Sequence, residues 1–261
     1  MSAHGESEDS ANEGGAEAPF LSHLVELRQR LLRVVVVVLA VFLALYPLSN
    51  TIYEVVAEPL MAHLPEGSSM VAIEVASPFL IPLKLTLMIA VFAAIPYVLY
   101  QVWAFVAPGL YLHERRLVRP LVIASTLLFY MGVLFAYFAV FPLVFGFFTS
   151  VGPPGVEVTT DIARYLSFII TLFFAFGFAF EVPVATILLV MTGATTPESL
   201  ARKRPYVFVA AFVIGMLLTP PDIISQTLLA LPMWLLFEVG VVMARVMRHR
   251  QLERPGVGHE D

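Results

Sequence analysis

The 261-residue chain contains no cysteine, which excludes disulfides, thiolate metal sites and thiol nucleophiles. Its six histidines include no pair at a metal-ligand spacing such as HxxxH. HExxH, GxSxG and Walker A patterns are missing, and no two apolar segments carry facing aspartates. Metal-dependent and serine intramembrane hydrolysis are therefore disfavoured, and no cofactor is expected. Charge is scarce too: Asp, Glu, Lys and Arg make up 13% of the chain, against roughly 25% in soluble domains. Residues 1–19 hold five acids and no Lys or Arg. They lack the basic region that opens a signal peptide, and their composition reads as a disordered acidic tail.

What the chain has instead is apolar length. Hydrophobic residues are 59% of it and its mean hydropathy is +0.86, the balance of an integral membrane protein. A spanning helix needs about 20 apolar residues. Six stretches qualify or come close: about 31–49, 83–106, 120–150, 164–192, 206–219 and 224–243. The fifth is short, about 14 residues or roughly 21 Å, so the bilayer beside it would have to thin or admit water.

The basic residues decide the count. Of 15 Lys and Arg, thirteen fall in four clusters: Arg28, Arg30 and Arg33; Arg115, Arg116 and Arg119; Arg202, Lys203 and Arg204; and Arg245, Arg248, Arg250 and Arg254. Segments 50–82, 151–163 and 220–223 have none. Lys84 and Arg164 stand at helix starts, where long side chains can snorkel outward. The positive-inside rule then gives six spans with both termini cytoplasmic. Omitting the short fifth span would place the arginine-rich C-terminus outside.

The outer segment 50–82 carries Pro59, Pro65, Pro78 and Pro82 among apolar residues, a pattern suited to short amphipathic helices on the membrane surface. Pro47, Pro96, Pro142, Pro183 and Pro232 fall inside spans. There they should kink the helices and free carbonyls, favouring a curved bundle over a straight one. No internal repeat is evident.

Four places invite chemistry. Glu26 lies four residues before Arg30, and spacing alone favours an ion pair on one helix face. Glu114 sits beside Arg115 and Arg116 in a cytoplasmic loop, after an expected interfacial belt of Tyr97, Tyr100, Trp103 and Tyr111. A carboxylate can grip a guanidinium by two charge-assisted hydrogen bonds, so Glu26 and Glu114 on one face could read two arginines of a partner. Glu181 lies in a span with no helix end expected nearby. An ionised acid there costs about 2.5 kcal/mol or more, so it should face a cavity, water or a partner. Asp222, after Pro220-Pro221, is placed to cap the sixth helix, while Gln226 would make a helix–helix hydrogen bond or a partner contact.

Five motifs, in order, resemble one family: HLVELRQRL at 23–31, ASPFLIPLKL at 76–85, YQVWAFVAPGLYLHERR at 100–116, FGFAFEVPV at 176–184 and TPPDIISQTLLALPM at 219–233. Together they look like TatC, the receptor of twin-arginine protein translocases, over about residues 20–246. The resemblance implies an all-α, six-helix, glove-like bundle in the cell inner membrane, between the tail of 1–19 and a cytoplasmic tail of 247–261. It implies that Glu26 and Glu114, with Arg28 and Phe105, bind the paired arginines of signal peptides on folded cargo. Glu181 would face the concave side, and Met216, Thr219 and Gln226 would receive a TatA- or TatB-type single helix. Pro59 and Asp222 would be structural. Other TatC copies and the bilayer complete the partners, with no nucleic acid and no enzymatic activity, and the protonmotive force supplies the drive. Two other classes compete: a secondary transporter relaying protons through Glu181, and a purely structural membrane scaffold. Inverted repeats and broken helices, which transporters usually show, are not evident in the sequence.

Overall fold

A computed structural model describes residues 10–61, 70–71, 73, 75–106, 118–150, 160–218 and 223–252. Within them the chain is almost wholly helical, as it must be where no water is available to satisfy backbone groups. Helix α1 (Ser10–Leu45) leads through a 3-10 turn (Tyr46–Leu48) into α2 (Ser49–Met61), and α3 covers Ser77–Val106. Next come α4 (Val118–Phe135), a π-helical turn (Ala136–Val140) and α5 (Phe141–Ser150). Helices α6 (Ile162–Ala179), α7 (Val182–Met191), α8 (Pro197–Arg202), α9 (Arg204–Leu218) and α10 (Ile223–Leu252) complete the order. Thus α1 begins inside the acidic stretch and α10 runs six residues past Val246.

Five helical segments, some of them interrupted by a turn, are long and apolar enough to cross a membrane: 23–55, 77–106, 119–144, 162–191 and 223–249. The remaining span, α9, fifth in chain order, has 15 residues, about 22 Å of rise. It is as short as its sequence indicates.

Prolines set most of the interruptions, because each removes one backbone donor and crowds the preceding turn. Pro47 sits in the 3-10 turn between α1 and α2. Pro142 follows the π turn, where the Phe141 N–H reaches back to the Ala136 carbonyl. Pro183 is the second residue of α7, and the chain turns at Phe180 and Glu181 just before it. The expectation of no helix end near Glu181 is corrected here: Pro183 has no N–H for the Ala179 carbonyl, so α6 stops and α7 restarts. The fourth span is a broken helix.

Two short strands, β1 (Met70–Val71) and β2 (Thr160–Asp161), pair in parallel, with Met70 opposite Thr160 and Val71 opposite Asp161. They tie together the leads into α3 and α6. Asp161 then caps α6, accepting from the Ala163 N–H at 3.2 Å.

The core forms where α3, α4, α5, α6 and α10 meet, around Phe176, Phe141, Leu172, Ile169 and Leu229. A second cluster joins Ile95, Leu99 and Trp103 of α3 to Phe129 of α4 and to Val184 and Leu188 of α7. Small residues let the helices approach closely, the usual device where lipid gives no hydrophobic drive. A Cβ at Gly177 would lie 2.6 Å from the Phe129 ring. One at Gly240 would strike Thr186, so α10 and α7 touch through glycine. By contrast α1 leans on α3 along one side, and its apolar residues Leu32, Val36, Leu39 and Leu43 stay exposed, as a lipid-facing helix requires.

The expected aromatic belt needs one revision. Trp103 is buried, 7% exposed, and its Nε1 donates to Ser125 Oγ at 2.9 Å. It stands four and eight residues after Leu99 and Ile95, on the stripe facing α4 and α7, so it belongs to the core. Tyr100 is exposed, with its ring centroid 6.4 Å from that of Tyr97; Tyr111 lies outside the described residues.

Candidate functional site: the charged end of helices α1 and α3

Glu26 lies on α1, where the polar residues give way to an unbroken apolar run. Arg30, one turn on, donates both Nε (2.9 Å) and Nη2 (2.6 Å) to the same oxygen, Oε1. Its third donor, Nη1, goes to Gln101 Oε1 on α3 at 3.1 Å. Gln101 is buried, 5% exposed, so Arg30 ties the two helices through a half-dry contact. The expected Glu26–Arg30 pair is present and does more than support one helix face.

Glu26 Oε2 stays outside that grip. His23 Nδ1 is 3.9 Å from it, and the His23 ring stacks on Phe105, with centroids 4.1 Å apart and planes 18° from parallel. The fold therefore brings Glu26 and Phe105, 79 positions apart, to one spot with His23 between them. Arg28 is exposed on α1, on another side of the helix. Glu114 lies outside the described residues. Close to this end, an apolar groove of about 290 Å³ runs between α3, α4, α7 and α10, walled by Trp103, Leu121, Leu188, Met191 and Met247.

Glu181 is elsewhere, at the joint between α6 and α7. It is half-buried, and neither carboxyl oxygen has a hydrogen-bond partner among the described residues. Ser125, which accepts the Trp103 hydrogen bond, borders it on α4. A carboxyl in such a place must stay protonated, draw in water or meet a partner.

On α9, Met216 is exposed. On α10, the Gln226 amide donates to the Phe212 carbonyl of α9 at 2.8 Å. Of the two readings of Gln226, the helix–helix hydrogen bond is present in this structure. Gly215 makes room for it, since a Cβ there would press on Gln226 at 3.2–3.3 Å. Thr219 and Asp222 lie outside the described residues. Pro59 falls within α2, its side chain outside the described set.

Three features escaped the sequence reading. His23 stands in the first motif, three residues before Glu26, but its stacking partner is remote in sequence. Arg204 and Glu238 form a two-pronged pair, Nε to Oε1 and Nη2 to Oε2, both at 2.7 Å; only the fold shows that Glu238 turns to Arg204 of α9 rather than along its own helix. Arg248 of α10 likewise holds Glu198 of α8 at 2.9 Å. The Glu198 carboxyl sits below the usual carboxylate range, first through its own backbone N–H at the start of α8, then through the Thr196 hydroxyl and Arg248.

The profile of the family described as "Sec-independent protein translocase protein (TatC)" matches residues 22–232. The chain is 60% identical over 235 residues to the Sec-independent protein translocase protein TatC of Azotobacter chroococcum mcd 1, covering 90% of this chain and 92% of that one. It is 59% identical over 227 residues to TatC of Escherichia coli (strain K12), covering 87% and 88%. A crystal structure of the twin-arginine translocase receptor TatC superposes with a TM-score of 0.78 at 36% identity, over 87% of this chain and 99% of that one. The fold is thus the six-helix TatC bundle, with five spans of ordinary length and a short one, the fifth in chain order, in α9. The chain is a multi-pass membrane protein, and it belongs to the TatC family of protein translocase components.

Proposed function

We propose that the charged end of α1 and α3 is the surface on which this translocase component receives twin-arginine signal peptides of folded cargo. The observation that carries this reading is the state of Glu26. Arg30 occupies one carboxylate oxygen, while the other is left beside a stacked His23–Phe105 wall. That oxygen is fixed in position and available to an incoming guanidinium. One exposed ion pair contributes only about 0–1 kcal/mol. Selectivity therefore needs the second acid, Glu114, so that two guanidinia are gripped at a set spacing, and Arg should be preferred over Lys for its planar fork. Arg28, on another side of α1 at the same charged end, would meet a part of the signal peptide other than the guanidinium held by Glu26. The apolar part of the signal then follows the bundle's inner face.

In this reading the basic end is cytoplasmic, so both termini are inside and the protein lies in the cell inner membrane. The membrane domain is 20–246, between the tails 1–19 and 247–261. TatA- or TatB-type single helices dock on α9 and α10 at Met216, Thr219 and Gln226, and further TatC copies assemble alongside. Pro59 and Asp222 serve structure, and the protonmotive force drives export. Photocrosslinking probes placed at positions 26 and 114 test the receptor assignment. They should capture a twin-arginine signal peptide and fail to capture the same peptide with both arginines replaced by lysine. Capture of both peptides alike, or of neither, would contradict the assignment.

A further inference from the structure

Lys84 is a cation inside an apolar helix and forms no ion pair among the described residues. It is exposed on α3 and lines a groove of about 350 Å³ between α3 and α6. The groove is graded. At one end stand Lys84 and the half-buried Ser167; toward the middle of the bundle the walls become Leu87, Val91, Ile170 and Phe174. Thr171, also on the wall, spends its hydroxyl proton on the Ser167 carbonyl at 2.7 Å. That leaves the ammonium of Lys84 and the hydroxyl of Ser167 as the donors facing the space.

The depth of these donors fits a bilayer boundary. The parallel β1–β2 pair joins the leads into α3 and α6, so both helices start from the same end of the bundle, opposite the basic clusters. Each of these spans is 30 residues long, about 45 Å, against a hydrocarbon core of about 30 Å. Centred in the membrane, each leaves roughly 7 Å outside at either end. Lys84, seven residues into α3, and Ser167, five into α6, then lie about 10 and 8 Å from their helix starts. Both backbone positions sit within a few ångströms of the hydrocarbon edge, from which the long Lys84 side chain can reach outward to a lipid phosphate. A cation and a hydroxyl at that level, above an apolar channel descending into the core, have the polarity profile of a phospholipid.

We propose that this groove binds one anionic phospholipid of the leaflet opposite the basic end. Lys84 and Ser167 hold its phosphate, and one acyl chain lies along Leu87, Val91, Ile170 and Phe174. The charge of Lys84, unpaired among the described residues, selects an anionic over a zwitterionic headgroup, and in return the lipid supplies a counter-ion to a charge at the membrane edge.

Native mass spectrometry of the delipidated, detergent-solubilised protein, titrated with phosphatidylglycerol, tests the site. The wild type should bind a first phosphatidylglycerol distinctly more tightly than later ones, and more tightly than phosphatidylethanolamine. Lys84→Gln should weaken that first binding by about tenfold, the size of one charge-assisted contact, and Lys84→Arg should restore most of it. Leu87→Asn, at an exposed position and so compatible with the fold, should also weaken it by placing an amide in the acyl path. Excess inorganic phosphate should not displace the lipid. Equal first-site affinity in the wild type and Lys84→Gln would overturn the proposal. So would a loss on Lys84→Gln matched by competition from inorganic phosphate and no effect of Leu87→Asn, which would mark a phosphate-ion site.

Discussion

Arg204 and Glu238 face each other as a fork on a fork, each guanidinium nitrogen 2.7 Å from its own carboxylate oxygen. The pair joins the first residue of α9 to the middle of α10. Glu238 is mostly buried and Arg204 about half exposed, 19% and 42% by side chain, so water screens the pair only in part. It fixes where the short α9 begins, and hence where its shortfall in length is felt.

Arg204→Ala or Glu238→Ala should each lower stability by about 1–3 kcal/mol, since a charged partner is left without its hydrogen bonds. The double variant should lose clearly less than the sum of the two. Denaturant unfolding of the purified protein in detergent measures all three. Strict additivity would show that the two side chains do not depend on each other.

With 15 residues, α9 falls short of a ~30 Å hydrocarbon core, and the membrane beside it should be thin. Inserting four leucines after Leu217 would extend it by about 6 Å. Cargo export should fall sharply while signal-peptide affinity stays within about twofold, as expected for a change remote from the Glu26 site. Export at the full rate would mean that the short helix has no part in translocation.

The fold and the candidate site were legible to different degrees. Apolar length and the four basic clusters were enough to find six helices and the shortness of α9, because both features are local. The break at Glu181 was local too: Pro183 lies two residues on, and proline ends helices just before itself. Trp103 looked interfacial by residue type, yet its four-residue spacing from Leu99 and Ile95 marks a core stripe. The contacts of His23 with Phe105, Arg30 with Gln101 and Arg204 with Glu238 join elements far apart in the chain. No pattern within one helix announces them. The sequence around Gln226 allows two contacts, and only the position of the Phe212 carbonyl shows which one it makes here.

Glu181 gives the sharpest contrast between substitutions. Its oxygens are buried beside Ser125 with no hydrogen bond formed among the described residues, and the helix is broken beside it, a feature that a proton-relaying transporter would share. If Glu181 acts as a polar feature of the concave face, it need not ionise, and Gln preserves its shape and hydrogen-bonding capacity. Glu181→Gln should then retain much of the export activity and Glu181→Leu should lose most of it, compared at equal protein levels in the membrane. Equal and severe loss in both would favour a proton relay, because an amide cannot cycle a proton.

The central claim is that two carboxylates, Glu26 and Glu114, grip the paired arginines of a signal peptide. Its most direct test is the dissociation constant of a twin-arginine peptide for the purified complex, measured for the wild type, Glu26→Ala, Glu114→Ala and the double variant. Each lost charge-assisted contact at a partly dehydrated surface should weaken binding by about tenfold, more for Glu114→Ala than for Glu26→Ala, because Arg30 already occupies one Glu26 oxygen. The melting temperature should be nearly unchanged for Glu114→Ala. The same dissociation constant in all four proteins would contradict the account.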